Sequence, residues 1–133
     1  MPVLVDANVL LDILTDDRDW AGWSATTLAS LADTERMVIN PVIFAEVSVQ
    51  YSRIEDVDEA LPMILERDAL PYEAAFIAGK AFRTYRQRGG ERRSPVPDFL
   101  IGAHALVAGY RLLTRDTRRY RTYFPRLTLV APD

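Results

Sequence analysis

Residues 1–14 have the sequence MPVLVDANVLLDIL, in which an apolar run stops at an acid. The run Val3-Leu4-Val5 predicts a short strand, because consecutive apolar residues suit a strand that is covered on both faces. After Asp6, apolar residues recur at helical spacing, and Asn8 is a candidate cap for that helix. A buried strand that leads directly into a helix predicts the first unit of an α/β fold.

Short apolar segments alternate with amphipathic segments along the rest of the chain. This alternation predicts a three-layer α/β/α sandwich with a short, mainly parallel central sheet, formed as one domain over residues 1–133. The predicted strands are 3–5, 37–39, 69–71, 112–113 and 127–130. The predicted helices are one from Asn8, one capped by Asp19, and those at 42–52, 57–67, 73–88 and 98–108.

The composition, with 49% hydrophobic and 26% charged residues, is typical of an ordinary globular protein. The absence of cysteine excludes disulfides, thiolate zinc sites and cysteine nucleophiles. The first residues lack a basic segment, and no apolar run approaches the roughly 18 residues of a membrane span. We therefore expect no signal peptide, no membrane partner and a cytoplasmic location.

The charged residues are unevenly distributed along the chain. Residues 1–75 carry 15 acids against 4 arginines, whereas residues 76–133 carry 4 acids against 12 basic residues. Such an asymmetry can indicate a surface that binds a polyanion. A solvated, salt-bridged surface explains the charges equally well.

Four acids are predicted to meet at one edge of the sheet. Asp6 ends the first strand, and Asp116 follows the strand at 112–113 closely. Asp98 opens a helix, and Glu46 lies early in the helix after the second strand. These positions converge at the carboxyl ends of the strands, where parallel α/β sheets bind their ligands.

Each of these acids also has a structural explanation when taken alone. Asp98 after a proline suits a helix cap, Asp116 suits a turn, and Asp6 suits a cap as well as a functional role. Glu46 is the most informative, because its helical neighbours are mostly apolar. A carboxylate in such surroundings must pair with an arginine or hold a cation.

Taken together, the four acids predict a site for Mg²⁺ or Mn²⁺, which prefer oxygen ligands and would relieve the repulsion among carboxylates. Such a site suits the hydrolysis of phosphodiesters. Asn8 and Thr114 lie two residues from an acid and can orient ligands, although capping and strand-end hydrogen bonds explain them equally well. His104 lies about 240° around the helix from Asp98 and is expected to be a core or surface residue.

The segments that carry a family resemblance are, in chain order, VLVDANVLLDIL (3–14), INPVIFAEV (39–47), PDFLIGAHA (97–105) and LLTRDTRRYRTYFP (112–125). They resemble the successive motifs of PIN-domain ribonuclease toxins of the VapC family. The resemblance covers essentially the whole chain and implies a Mg²⁺-dependent (or Mn²⁺-dependent) endoribonuclease of a type II toxin–antitoxin system. It further implies a homodimer that is inhibited by a cognate VapB-type antitoxin. The implied metal-binding quartet is Asp6, Glu46, Asp98 and Asp116, with Asn8 and Thr114 as supporting residues.

Arginines flank the predicted acidic centre and are candidates for holding RNA phosphates. Some of them can instead pair with the antitoxin or with the second subunit. Tyr120 and Tyr123 can stack on bases, but a core role for both, and for Phe124, is favoured. The candidate RNA-binding residues are Arg92, Arg93, Arg115, Arg118 and Arg119.

Two other functions are compatible with parts of this pattern. A phosphatase or phosphoacceptor protein with Asp6 as nucleophile is disfavoured. Haloacid-dehalogenase enzymes have an Asp where this chain has Asn8. Response-regulator receivers have a lysine near the last strands, whereas the single lysine of this chain, Lys80, falls inside a predicted helix. A non-catalytic RNA- or protein-binding module would use the same surface without turnover.

Overall fold

The computed structural model describes residues 1–90 and 95–133. Its strands are β1 (Val3–Val5), β2 (Met37–Ile39), β3 (Leu65–Arg67), β4 (Arg111–Leu113) and β5 (Leu129–Val130). Its helices are α1 (Ala7–Leu14), α2 (Ala21–Ala32), α3 (Pro41–Ser48), α4 (Ile54–Ala60), α5 (Tyr72–Gln87), α6 (Val96–Ala108) and α7 (Arg118–Tyr123).

The five strands form one sheet in the order β3-β2-β1-β4-β5, and every pair is parallel. Right-handed crossovers place α1 to α4 on one face of this sheet and α5 to α7 on the other. In agreement with this division, α1 contacts α2 and α3, and α6 contacts α5 and α7; α3 and α6, assigned to opposite faces, also contact each other. The predicted α/β/α sandwich with a short parallel sheet is confirmed.

The central strands and α6 form the core. Val3, Leu4 and Val5 have no exposed surface, because helices cover β1 on both faces. In α6, Gly102 lets α7 approach closely: a Cβ built there would lie 2.7 Å from Phe124 Cδ2 and 3.1 Å from Tyr120 Cδ1. This close approach fixes the position of α7 above the sheet.

The predicted strand at 69–71 is wrong, and the helix predicted at 57–67 is present but lies earlier, at Ile54–Ala60. The helix, α4, ends at Ala60, and Leu61 is extended with φ −69° and ψ 138°. The residue before a proline avoids the helical region, and Pro62 follows Leu61. Because the helix ends early, Leu65–Arg67 can pair with β2. This edge strand is partly exposed and therefore lacks the continuous apolar run from which the other strands were predicted.

Three predicted helix caps are also wrong. Asn8 lies inside α1, whose N-cap is Asp6, and Asp98 lies in the first turn of α6, whose N-cap is Pro95. The chain enters α2 through Asp17 rather than Asp19, since Asp17 Oδ1 accepts the backbone N–H groups of Asp19 and Trp20. Neither Asn8 nor Asp98 is therefore occupied by capping.

His104 was expected to be a core or surface residue, and it is buried in the core. Its Nδ1 lies 3.0 Å from Asn40 Nδ2. Asn40 in turn caps α3, because its Oδ1 accepts the backbone N–H of Ile43 at 2.9 Å. Among the helices of the described ranges, none is both long and apolar enough to cross a membrane.

Candidate active site

The candidate site lies where the chain direction across the sheet reverses. From β1 the chain moves to β2 on one side, and it later returns to place β4 on the other side of β1. Asp6 follows β1 and Thr114 follows β4, so both lie at this switch point, where open parallel sheets bind ligands. The Asp6 backbone N–H donates to Leu113 O at 2.9 Å and continues the pairing of the two strands.

Asp6 is a buried carboxylate held by three donors. Only 3% of its surface is exposed. Its Oδ2 accepts hydrogen bonds from the Tyr120 hydroxyl at 2.7 Å, from Thr114 Oγ1 at 2.9 Å and from Asn8 Nδ2 at 3.4 Å. The pKa of Asp6 is raised to about 6, mainly by burial and to a smaller extent by the charge of Asp98, while the Tyr120 and Thr114 bonds oppose the rise. A cation beside this carboxylate would therefore relieve a real cost.

Asn8, in α1, and Thr114, which follows β4, are joined by a hydrogen bond. Asn8 Nδ2 donates to Thr114 Oγ1 at 3.1 Å, and Asn8 Oδ1 accepts the backbone N–H of Arg115 at 3.1 Å. Thr114 is fully buried. These bonds fix the loop after β4, which carries Asp116, relative to the start of α1.

Glu46, on α3, is a second carboxylate whose ionised form is disfavoured by burial. Its Oε1 is buried and has no hydrogen-bond partner within residues 1–90 and 95–133. Burial raises the pKa of Glu46 to about 7, and the charges of Asp6 and Asp98 contribute to the rise. The alternative of an arginine partner for Glu46 is not realised in the described part of the chain.

The other two predicted acids are Asp98, in the first turn of α6, and Asp116, in the loop after β4. Burial raises the pKa of Asp98, and the charge of Asp116 adds to this, whereas Arg119 opposes it. Arg119 Nη1 donates to Asp98 Oδ2 at 3.0 Å. Asp116 is exposed, and its Oδ1 accepts the backbone N–H of Arg118 at 3.3 Å.

Neighbouring charges within the quartet raise the pKa values of Asp6, Glu46 and Asp98, but the carboxylates are not arranged as ligands around one point. In the part of the chain that the structure describes, no three carboxylate or imidazole groups surround a common point as metal ligands would. Tyr120 and Arg119 instead hold Asp6 and Asp98. The donor set nevertheless fits a divalent cation with oxygen ligands, because Glu46 Oε1 has no partner among residues 1–90 and 95–133 and the carboxylates repel one another.

The candidate RNA-binding arginines occupy different surroundings. Arg115 is engaged by Asp12 through two bonds, Nε–Oδ2 at 2.8 Å and Nη2–Oδ1 at 2.9 Å. Asp12 is buried and also accepts Ser24 Oγ at 2.9 Å, so this pair ties the β4 loop to α1 and α2. Arg118 is exposed at the start of α7. Arg92 and Arg93 lie outside the described residues.

Sequence reasoning missed the contacts of Tyr120 and Asp12, as well as the bond between Arg119 and Asp98. Tyr120 is only 2% exposed, so the core role is confirmed and base stacking by Tyr120 is wrong. Its hydroxyl contact with Asp6 was missed, although a buried tyrosine hydroxyl needs a partner. The second omission is Asp12, whose place among apolar residues of α1 is the same signal that drew attention to Glu46.

Comparisons with known proteins agree with this architecture. The family model of the PIN domain matches residues 3–125. A chain of VapBC2 from Rickettsia felis, bound to a DNA fragment from their promoter, has a TM-score of 0.76 at 20% identity, with 100% of each chain covered. A chain of VapBC-1 from nontypeable Haemophilus influenzae has a TM-score of 0.73 at 18% identity, with 98% of each covered.

A chain of a toxin–antitoxin complex from Klebsiella pneumoniae has a TM-score of 0.70 at 20% identity, again with 98% of each chain covered. A comparison with curated protein sequences finds no match. At these identities the structural likeness is a likeness of fold.

Proposed function

Because this chain belongs to the PIN domain family, we propose that it is a Mg²⁺-dependent endoribonuclease, with Mn²⁺ as an alternative metal, and the toxin of a type II toxin–antitoxin pair. One observation carries the proposal. Glu46 keeps a buried carboxylate oxygen without a partner in residues 1–90 and 95–133, and the charges of Asp6 and Asp98 help to raise its pKa.

A divalent cation held by these carboxylates would activate water and neutralise the charge that develops on the phosphate. The protein's own part is to hold the ligands. Tyr120 and Thr114 donate hydrogen bonds to one oxygen of Asp6 and thereby fix the orientation of its carboxyl group. Asn8 holds the loop that presents Asp116.

The basic residues beside the acids are assigned to the RNA. Arg118 is exposed and lies two residues from Asp116, where a guanidinium can hold a phosphate through paired N–H groups. Arg115 retains its candidate status, although its guanidinium is already paired with Asp12. An Asp nucleophile is the weaker explanation, because Asp6 is buried and its Oδ2 is engaged by several donors.

The proposed partners are a VapB-type antitoxin and a second copy of this chain, with the cytoplasm as the place of action. The support for an antitoxin comes from the similar structures, which are VapBC proteins and a toxin–antitoxin complex. Light scattering of the purified chain, alone and with the co-expressed antitoxin, tests both associations. A monomer at all concentrations would exclude the homodimer.

The activity is tested by incubating antitoxin-free protein with total RNA and Mg²⁺, with and without a chelator, and mapping the new ends by sequencing. We expect the wild type to cut RNA at discrete positions and the chelator to abolish the cleavage. Asp6→Asn and Asp98→Asn should both remain folded but fail to cleave RNA. RNA that is bound but never cut would identify a non-catalytic binding module instead. Cleavage by both variants at the wild-type rate would exclude the quartet.

A further inference from the structure

Arg119, one of the candidate RNA-binding residues, contacts both an acid and an aromatic ring. Its Nη1 donates to Asp98 Oδ2 at 3.0 Å, and the two side chains are 39% and 34% exposed. The pair is therefore partly accessible to solvent, and its separation costs less than the separation of a fully buried ion pair. The guanidinium also lies 5.6 Å from the centroid of the Tyr85 ring, which supports it from the side.

A cavity of about 260 Å³ opens next to this pair. Two arginines and two tyrosines line it together with Asp116, so it joins the acidic centre to a basic and aromatic surface. The lining residues are Tyr85, Asp116, Arg118, Arg119, Thr122 and Tyr123. Arg119 thus borders a metal-ligand candidate on one side and a space suited to a nucleotide on the other.

The contact between Arg119 and Asp98 conflicts with metal binding at Asp98. A divalent cation and a guanidinium compete for the same carboxylate oxygens, and they repel each other at short range. When the carboxylate charge is taken by a cation, a phosphate becomes the better partner for Arg119, because it accepts paired N–H groups in a fork geometry. The Tyr85 face keeps the guanidinium near the cavity during this change.

We propose that Arg119 exchanges partners: it is the counterion of Asp98 before a divalent cation binds, and it holds an RNA phosphate in the adjacent cavity afterwards. This inference rests on the proposed ribonuclease function and deepens it. Its consequence is that metal and RNA bind with positive coupling, because each releases the partner that the other needs. Arg119 opposes metal binding when RNA is absent and supports RNA binding when metal is present.

The metal side is tested by calorimetric titration of Mn²⁺ into wild-type protein, Arg119→Gln and Arg121→Gln without RNA. Arg121 is exposed on the same helix and carries the same charge, so its substitution controls for the general loss of one cation. We expect Arg119→Gln to bind Mn²⁺ roughly twofold to fivefold more tightly than wild type, as loss of a partly exposed ion pair implies. Arg121→Gln should bind it nearly as wild type does.

The RNA side is tested with a short single-stranded RNA carrying phosphorothioate linkages, which resist hydrolysis, read by fluorescence anisotropy. We expect Mn²⁺ to strengthen RNA binding by wild type and by Arg121→Gln. Arg119→Gln should lose most of this stimulation, roughly tenfold in affinity, as expected for one charge-assisted hydrogen bond. Without Mn²⁺, Arg119→Gln and Arg121→Gln should differ little.

The exchange is overturned if Arg119→Gln binds Mn²⁺ no more tightly than Arg121→Gln, or if it keeps the full stimulation of RNA binding. In either case a wild type that binds Mn²⁺ and cuts RNA leaves the proposed function standing. A wild type that binds neither Mn²⁺ nor RNA overturns the proposed function and the exchange together.

Discussion

Tyr120 and Asp6 are joined by a 2.7 Å hydrogen bond between the tyrosine hydroxyl and Oδ2, and both residues are almost fully buried. The bond connects α7 to the end of β1 across 114 positions of sequence. The Tyr120 hydroxyl opposes the rise in the pKa of Asp6 that burial causes, and thereby favours the ionised carboxylate that a metal ligand must be.

Replacing Tyr120 with Phe should raise the pKa of Asp6 further and release its carboxyl group. We expect RNA cleavage to fall about tenfold, the usual minimum for loss of a hydrogen bond to a metal ligand. The matched control is Tyr110→Phe, which removes a tyrosine hydroxyl from Asp68 instead. Cleavage rates measured at several pH values check this; equal rates in the two variants would contradict a positioning role for Tyr120.

Arg115→Gln should destabilise the protein, because it leaves the buried Asp12 carboxylate without its cation. We expect a loss of about 2 to 3 kcal/mol in the free energy of unfolding, at or below the lower end for a broken buried pair. Urea denaturation measures it, with the exposed Arg126→Gln as control, for which a change within about 0.5 kcal/mol is expected. Equal stability of both variants would leave Arg115 free to bind RNA.

The stability of the metal-free protein should depend on the protonation of Glu46. Its pKa is raised from 4.5 to about 7 in the folded state, so the folded state binds this proton more tightly than the unfolded state. The contribution of Glu46 to the free energy of unfolding therefore falls as the pH rises from 4.5 to 7 and is constant outside that window.

Glu46→Gln isolates this effect. Above pH 7 the variant should be more stable than the metal-free wild type by on the order of 2 to 3 kcal/mol, and the difference should shrink below pH 5. Saturating Mg²⁺ should remove the advantage, since a bound cation stabilises only the wild-type carboxylate. Denaturation curves across this pH range measure the difference, and a constant difference would refute the assigned environment of Glu46.

Gly102→Ala should disturb the active site through packing alone. The added methyl group would lie 2.7 Å from Phe124 Cδ2 and 2.8 Å from Cε2, so α7 must shift. We expect a cost of about 1 to 3 kcal/mol and reduced cleavage, because Tyr120 moves with α7. Gly79→Ala, in the exposed part of α5 with nothing within 4 Å, should instead be neutral or stabilising. Thermal unfolding of both variants provides the comparison.

The sheet and the edge that carries the site could be predicted from the sequence, because β1, β2 and β4 are covered on both faces and keep continuous apolar runs. The edge strand β3 could not, since partial exposure removes that pattern and Pro62 ends the preceding helix early. The positions of the four acids follow from strand ends and helix starts, which a parallel sheet brings to one rim.

The contacts that hold those acids could not be predicted in the same way. The bonds from Tyr120 to Asp6 and from Arg119 to Asp98 depend on how α7 packs over Gly102, which is a property of distant segments. Apolar periodicity identifies Tyr120 as a core residue but is silent about its hydroxyl. The partners of the arginines could not be predicted either, because charge clustering does not distinguish Arg115, which is paired with Asp12, from the exposed Arg118.

The most direct measurement is calorimetric titration of Mg²⁺ into the purified chain and into Asp6→Asn, Glu46→Gln, Asp98→Asn and Asp116→Asn, with the exposed Asp56→Asn as control. A shared acidic centre predicts saturable binding by wild type and by the control, and weakened binding, by roughly tenfold or more, in each quartet variant that remains folded. Absence of binding by wild type, or binding by the quartet variants at wild-type affinity, would contradict it.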